Sequence, residues 1–189
     1  MTRQDDMILV IDMQNVYRPG QPWGCRSFDR ACRNIRKLLE TSPSLVRFTK
    51  FVENPRPYGV WKEYNLVNRE INGNPWMNAI ADELSDFARR YPVLEKSVYS
   101  SMKIPEIRDA ASGGRAVVLT GVVSECCVLS TCMGAIDLGV HVVYLRDACA
   151  GDGPDTEAAV ENILSRLPLH VTLCDTADYI AMRRNEKTV

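Results

Sequence analysis

Six short apolar runs alternate along the chain with stretches whose apolar residues recur every three or four positions. The runs are Met7–Ile11, Leu45–Val52, Val93–Leu94, Ala116–Leu119, Val140–Leu145 and Leu169–Leu173. Continuous runs rich in Val, Ile and Leu predict strands buried on both faces, as parallel strands are. Between them, Ser27–Glu40 puts Phe28, Ala31, Cys32, Ile35, Leu38 and Leu39 on one helical face, and Pro43 leads into the second strand. Asn74 and Pro75 form an N-cap and first residue for a helix carrying Met77, Ile80, Ala81, Leu84, Phe87 and Ala88, ended by Pro92. Shorter helices are predicted over Pro105–Ala111, before a Gly113–Gly114 break, and from Asp155 with Val160, Ile163, Leu164 and Leu167 inward. A last helix opens at Asp175 and Asp178 and runs to about Arg183. This alternation predicts one α/β domain over 1–189, a three-layer α-β-α sandwich around a mostly parallel, Rossmann-like six-stranded sheet.

The organising stretch is RAVVLTGVVSECCVLSTCMGAIDLGVHVVYL, Arg115–Leu145. Its strand is expected to break at Thr120-Gly121, with Ser124 as N-cap. The helix that follows carries Val128, Cys132, Ala135 and Leu138 and stops at Gly139. A unit of this kind is a right-handed parallel crossover, and ligands bind at the carboxyl ends of its strands. Cys126 and Cys127 fall at that end, as do Asp12 after the first strand and Lys96 after the third. RDACAGDGPD then reads as a polar loop at another strand end.

Composition narrows the chemistry. A net charge of −1 gives no electrostatic reason to expect nucleic acid or an anionic membrane as partner. No segment approaches the roughly 18 unbroken apolar residues of a membrane helix. The opening MTRQDDMILVIDMQN lacks signal-peptide design, and seven scattered cysteines suit reduced thiols, so a cytoplasmic location is expected. No zinc spacing occurs, and His141 and His170 read as ordinary strand-edge residues, which disfavours a Cys-His or Ser-His mechanism. A free thiol has a pKa of about 8.5, so a nucleophilic cysteine needs help. Asp12 is placed to act as general base and Lys96 to stabilise the ionised partners, while the strand-to-helix turn offers backbone N–H groups for an oxyanion. Helical periodicity leaves both thiols open, with Cys127 at the upper end of the buried stripe and Cys126 as a packed neighbour.

Segment 53–75 has no clear period but holds Tyr58, Trp61 and Tyr64, with Trp76 beside it. A loop of this length acts as a lid, an interface, or both, with a short helix around Trp61–Arg69.

Four segments carry a family resemblance. ILVIDMQN, LEKSVYS, TGVVSECCVLSTCMGAIDLG and VHVVYLRDACA resemble, in order, the aspartate strand, the lysine segment, the cysteine block and the next strand of the isochorismatase-like cysteine hydrolases. Nicotinamidases, N-carbamoylsarcosine amidase, ureidoacrylate amidase and biuret hydrolase belong to that superfamily. The resemblance implies an Asp12-Lys96-Cys127 triad, a cis Val122–Val123 peptide, and the N–H groups of Val123 and Cys127 as oxyanion hole. It selects Cys127, the residue before Val128, as nucleophile. It further implies hydrolysis of a C–N bond in a small amide, ureide or carbamoyl compound through a thioester, with water as second substrate, and a homo-oligomer, dimer or tetramer. Gln14, Tyr17, Trp61 and Tyr99 are candidates to line the substrate pocket. The metal-binding Asp-x-His of nicotinamidases has no counterpart in TKFVENP, so neither metal nor other cofactor is expected. Val16-Tyr17 also replaces the Asp-Phe common after the catalytic aspartate. The alternative is a catalytically weak or inactive scaffold or regulatory protein on the same fold.

Overall fold

The computed structural model describes residues 6–41, 45–113 and 116–186. Pro43, Gly114 and Arg115 lie outside them. Six strands, β1 (Met7–Ile11), β2 (Leu45–Phe51), β3 (Val93–Lys96), β4 (Val117–Val122), β5 (Val142–Ala150) and β6 (Val171–Cys174), form one sheet in the order β3-β2-β1-β4-β5-β6. Every neighbouring pair is parallel. Helices cover both faces, in the α/β sandwich the sequence predicts.

The alternation of side chains along β1 divides the core. Ile8 and Val10 pack with Phe28, Ile35 and Leu38 of α1 (Phe28–Thr41) on one face. Met7, Leu9 and Ile11 pack on the other, with Ile107 of α6 (Pro105–Ala111), Cys132 of α7 (Leu129–Asp137) and Val160 of α8 (Pro154–Ser165). All five residues of β1 are wholly buried, which explains an apolar run with no polar alternation. The chain winds outward from β1 to β3, then returns to pair β4 against β1. The reversal places the crevice at the carboxyl ends of β1 and β4.

Several boundaries differ from the sequence reading. β4 does not break at Thr120-Gly121 but continues to Val122, with Gly121 at φ 110° paired to Ile11. A Cβ at Gly121 would lie 2.1 Å from the Ile11 carbonyl oxygen, so only glycine lets the strands approach there. β5 likewise runs on through Arg146–Ala150 after a shift of register against β4, because Cys149 and Ala150 pair with Gly121 and Val122.

The single helix expected over 74–88 is instead α4 (Pro75–Asn78), a 3-10 turn at Asp82–Leu84 and α5 (Ser85–Ala88). The backbone between them pairs with the loop after β1: Asn15 N–H donates to Ala79 O and Ala81 N–H to Met13 O. Those bonds replace the helical ones. Leu138 and Ile163, expected inward, are exposed. Segment 53–75 forms α2 (Trp61–Val67) and α3 (Arg69–Asn72); α9 (Thr176–Glu186) closes the chain.

Gly121→Ala should lower unfolding free energy by more than about 3 kcal/mol in urea titration, through clash and positive φ together. Gly139→Ala, at φ 73° with nothing within 4 Å of the added methyl, should cost only about 1 kcal/mol.

Candidate active site

Asp12, the first residue after β1, has φ 50°, which turns the chain sharply and aims a wholly buried carboxylate across the sheet end. Its N–H donates to Thr49 O (3.1 Å), and the Thr49 hydroxyl donates to Oδ1 (2.7 Å). Lys96, the last residue of β3, reaches past β2 so that Nζ stands 2.5 Å from Asp12 Oδ2. That contact is an ion pair between two buried side chains. Nζ also donates to Cys127 Sγ (3.3 Å) and Val98 O (3.2 Å), and lies 5.2 Å from the centre of the Phe51 ring. Three strands thus deliver a carboxylate, an ammonium and a thiol to one buried cluster.

The electrostatics follow from burial and neighbours. Burial opposes the charge on Lys96, but Asp12 and Cys127 more than offset this and hold its pKa above the usual range. Cys127 is pushed well above an ordinary thiol, by burial first and then by the Asp12 charge, with Lys96 acting in the opposite direction. Burial and the Asp12 charge thus both favour the protonated thiol.

Cys127 sits in a wide π-type turn, Ser124–Val128, in which the N–H groups of Cys126 and Val128 both donate to Val123 O. Ser124 does not cap the helix; its hydroxyl accepts from Tyr144 OH (3.3 Å). The Val122–Val123 peptide bond is cis. Thr131 donates to Cys127 O (2.7 Å) and accepts from Ser101 N–H (2.9 Å), which ties the start of α7 to the loop beyond Lys96. Above the sulfur lies a cavity of about 240 Å³ that includes Val123 and Cys127 in its lining. Among the described residues, no three His, Cys, Asp or Glu side chains are grouped to hold a metal ion.

The model of the isochorismatase domain matches residues 6–178. The chain belongs to the isochorismatase family. No curated protein matches the sequence, but solved structures do. An isochorismatase family protein from Desulfovibrio vulgaris has 19% identity and a TM-score of 0.80, covering 96% of this chain and 100% of that one. A cysteine hydrolase from Pseudomonas syringae has 20% identity and a TM-score of 0.76, covering 98% and 94%. Pyrazinamidase/nicotinamidase from Streptococcus mutans has 18% identity and a TM-score of 0.73, covering 89% and 99%. The chain is thus an isochorismatase-family hydrolase with the fold of these structures.

Within this family member, Tyr17 and Tyr99 line the cavity, but two other pocket candidates do not. Gln14 is wholly buried and spans the end of β2: Nε2 donates to Phe51 O (3.0 Å) and Asn78 O (3.2 Å), and Oε1 accepts from Phe51 N–H (2.8 Å). Trp61 is screened by Tyr64 and Tyr99, each 5.2 Å away between ring centres, and lines a separate surface cavity. Cys126 is not a packed neighbour but half-buried in the cavity lining. Sequence reasoning missed Trp23, Phe51, Tyr64, Glu125 and Asp152 as lining residues. Of these, only Tyr64 lay in the segment whose aromatic content marked it out.

Alkylation of Cys127 by iodoacetamide, followed site by site by peptide mass, should become fast only above the ordinary thiol range. The Asp12 charge raises that pKa, so Asp12→Asn should move the alkylation profile to lower pH. A profile that stays put or moves up would refute this electrostatic assignment.

Proposed function

We propose that this isochorismatase-family chain is a cysteine hydrolase that cleaves the C–N bond of a small amide, ureide or carbamoyl compound and needs no metal or other cofactor. The observation that carries the reading is the Lys96 ammonium in contact with both Asp12 and Cys127 at the floor of a cavity. A buried carboxylate and ammonium beside a thiol form a proton-transfer device: charge is conserved when the proton moves from sulfur to Asp12.

In the proposed sequence, substrate enters and displaces water, and Asp12 Oδ2 takes the Cys127 proton as Sγ attacks the carbonyl carbon. As the S–C bond forms, the negative charge passes from sulfur to the carbonyl oxygen, and Lys96 steadies the sulfur while that charge develops. The oxygen of the tetrahedral adduct is received by the N–H groups of Val123 and Cys127. On collapse, Asp12 returns its proton to the leaving nitrogen and the C–N bond breaks, leaving a thioester on Cys127. Water then attacks that thioester while Asp12 accepts one of its protons. The acid departs, and Cys127 is re-protonated. The raised Cys127 pKa supports general-base attack over a resting thiolate: the nucleophile forms only as substrate arrives.

The cavity volume supports a small substrate, since drug-sized ligands occupy pockets of about 300–1,000 Å³. The exposed Val60, Leu66, Val67 and Trp76 on or beside α2–α4 support a homo-oligomer with this segment at its interface.

During a screen of small amides and ureides, intact-mass spectrometry should detect an adduct of the acyl group on the protein. Cys127→Ala should abolish both adduct and turnover, with a loss of at least about 10³-fold. Full activity in that variant would overturn the proposal and favour a scaffold role.

A further inference from the structure

The lining of the cavity is specific about charge. Five rings face it, those of Tyr17, Trp23, Phe51, Tyr64 and Tyr99. Trp23 contacts Phe51 and Tyr64 at ring-centre distances of 6.0 and 6.2 Å, so the rings form a continuous wall. The charged lining groups are Glu125 and Asp152, and among the described residues no arginine or lysine joins them. Lys96 lies beneath, committed to Asp12, Cys127 and Val98 O. Arg26, whose side chain approaches Gly153, does not line the cavity. Glu157, which accepts from Gly151 N–H, is already paired with Arg30 (3.0 Å).

Glu125 is built in. Its Oε1 accepts from Asp152 N–H (3.1 Å), while Oε2 is buried and has no hydrogen-bond partner. A Cβ at Gly151 would stand 2.5 Å from Oε2, so a glycine is what leaves room for the carboxylate. The residue as a whole is part-buried and lines the cavity beside Asp152. The fields of Glu125, Glu157 and Asp152 also reach the Cys25 thiol, raising its pKa beyond what burial does. Aromatic faces and carboxylates attract the same ligands, because both present negative potential to a cation.

We infer that the substrate of this site is a small amide or ureide carrying a cationic nitrogen, held by the aromatic wall and by Glu125 and Asp152, and that anionic amides are rejected. The inference rests on the cavity being the substrate site, as in the proposed hydrolysis. An anionic substrate would have to leave water for a site with two carboxylates and no free counter-charge, which is unfavourable. A cation meets both features at once.

The test uses the full-length Cys127→Ser variant, which binds without turnover, and three probes that share one ring: benzamide, meta-carbamoylbenzoate and meta-(trimethylammonio)benzamide. Binding is read from intrinsic tryptophan fluorescence and by calorimetry. The cation should bind roughly tenfold more tightly than benzamide, the scale of a cation–π contact in a partly desolvated site, and the anion more weakly than either. In Glu125→Gln and Asp152→Asn backgrounds the ratio of cation to benzamide affinity should shrink several-fold, with circular dichroism and thermal unfolding reporting an intact fold. Equal binding of all three, tighter binding of the anion, an undiminished preference in both variants, or no binding of any probe at millimolar concentration would overturn the inference. Detection of the acyl-enzyme is independent of these affinities, so charge selectivity and hydrolysis can fail separately.

Discussion

The cluster depends on one buried cation. Lys96 carries its charge into a place where water cannot solvate it, and it does so only because Asp12 supplies a counter-charge and Cys127 and Val98 supply acceptors. Breaking such a pair by removing one partner typically costs about 3–5 kcal/mol, because the other charge is left uncompensated. Each neighbouring feature serves the pair. Thr49 holds Oδ1, the Phe51 ring lies beside Nζ, and Gln14 fixes the end of β2, over which the lysine passes. The strand order serves this need, since it sets β1 between β2 and β4 and leaves β3 one strand away, within reach of a lysine side chain.

The sheet was legible because its central strands are buried on both faces and consist largely of apolar residues, β1 entirely so. Met7–Ile11 read as a strand from its own letters. Elements decided by long-range backbone pairing were less legible. The helix over 74–88 has a sound amphipathic pattern, yet the loop after β1 takes the hydrogen bonds of residues 79 and 81 and opens it. Arg146 and Asp147 look like loop residues and are strand, because a register shift against β4 carries β5 onward through them.

The candidate site divides along the same line. Asp12 and Lys96 stood out because a charged residue follows or ends a short strand. Choosing between Cys126 and Cys127 by helical phase was unsound in principle. Ser124–Val128 is a wider turn than an α-helix, so the usual angle between neighbours does not apply there. The family motif separated the thiols where periodicity did not. The pocket wall was the least legible part. Trp23 lies in a proline- and glycine-rich loop with no period, and Phe51 read only as a strand residue; their meeting with Tyr64 is a product of the fold.

Tyr64 and Tyr99 have a further consequence. They belong to the lining of both the cavity above Cys127 and the shallower one beside Trp61. The two spaces therefore share these two side chains as a partition, and Tyr99 is itself 38% exposed. Trimming that partition would lengthen the chamber without touching the carboxylate, the ammonium or the thiol. The size of the chamber and the make-up of the buried Asp12-Lys96-Cys127 cluster thus rest on different residues, and one can change while the other is held.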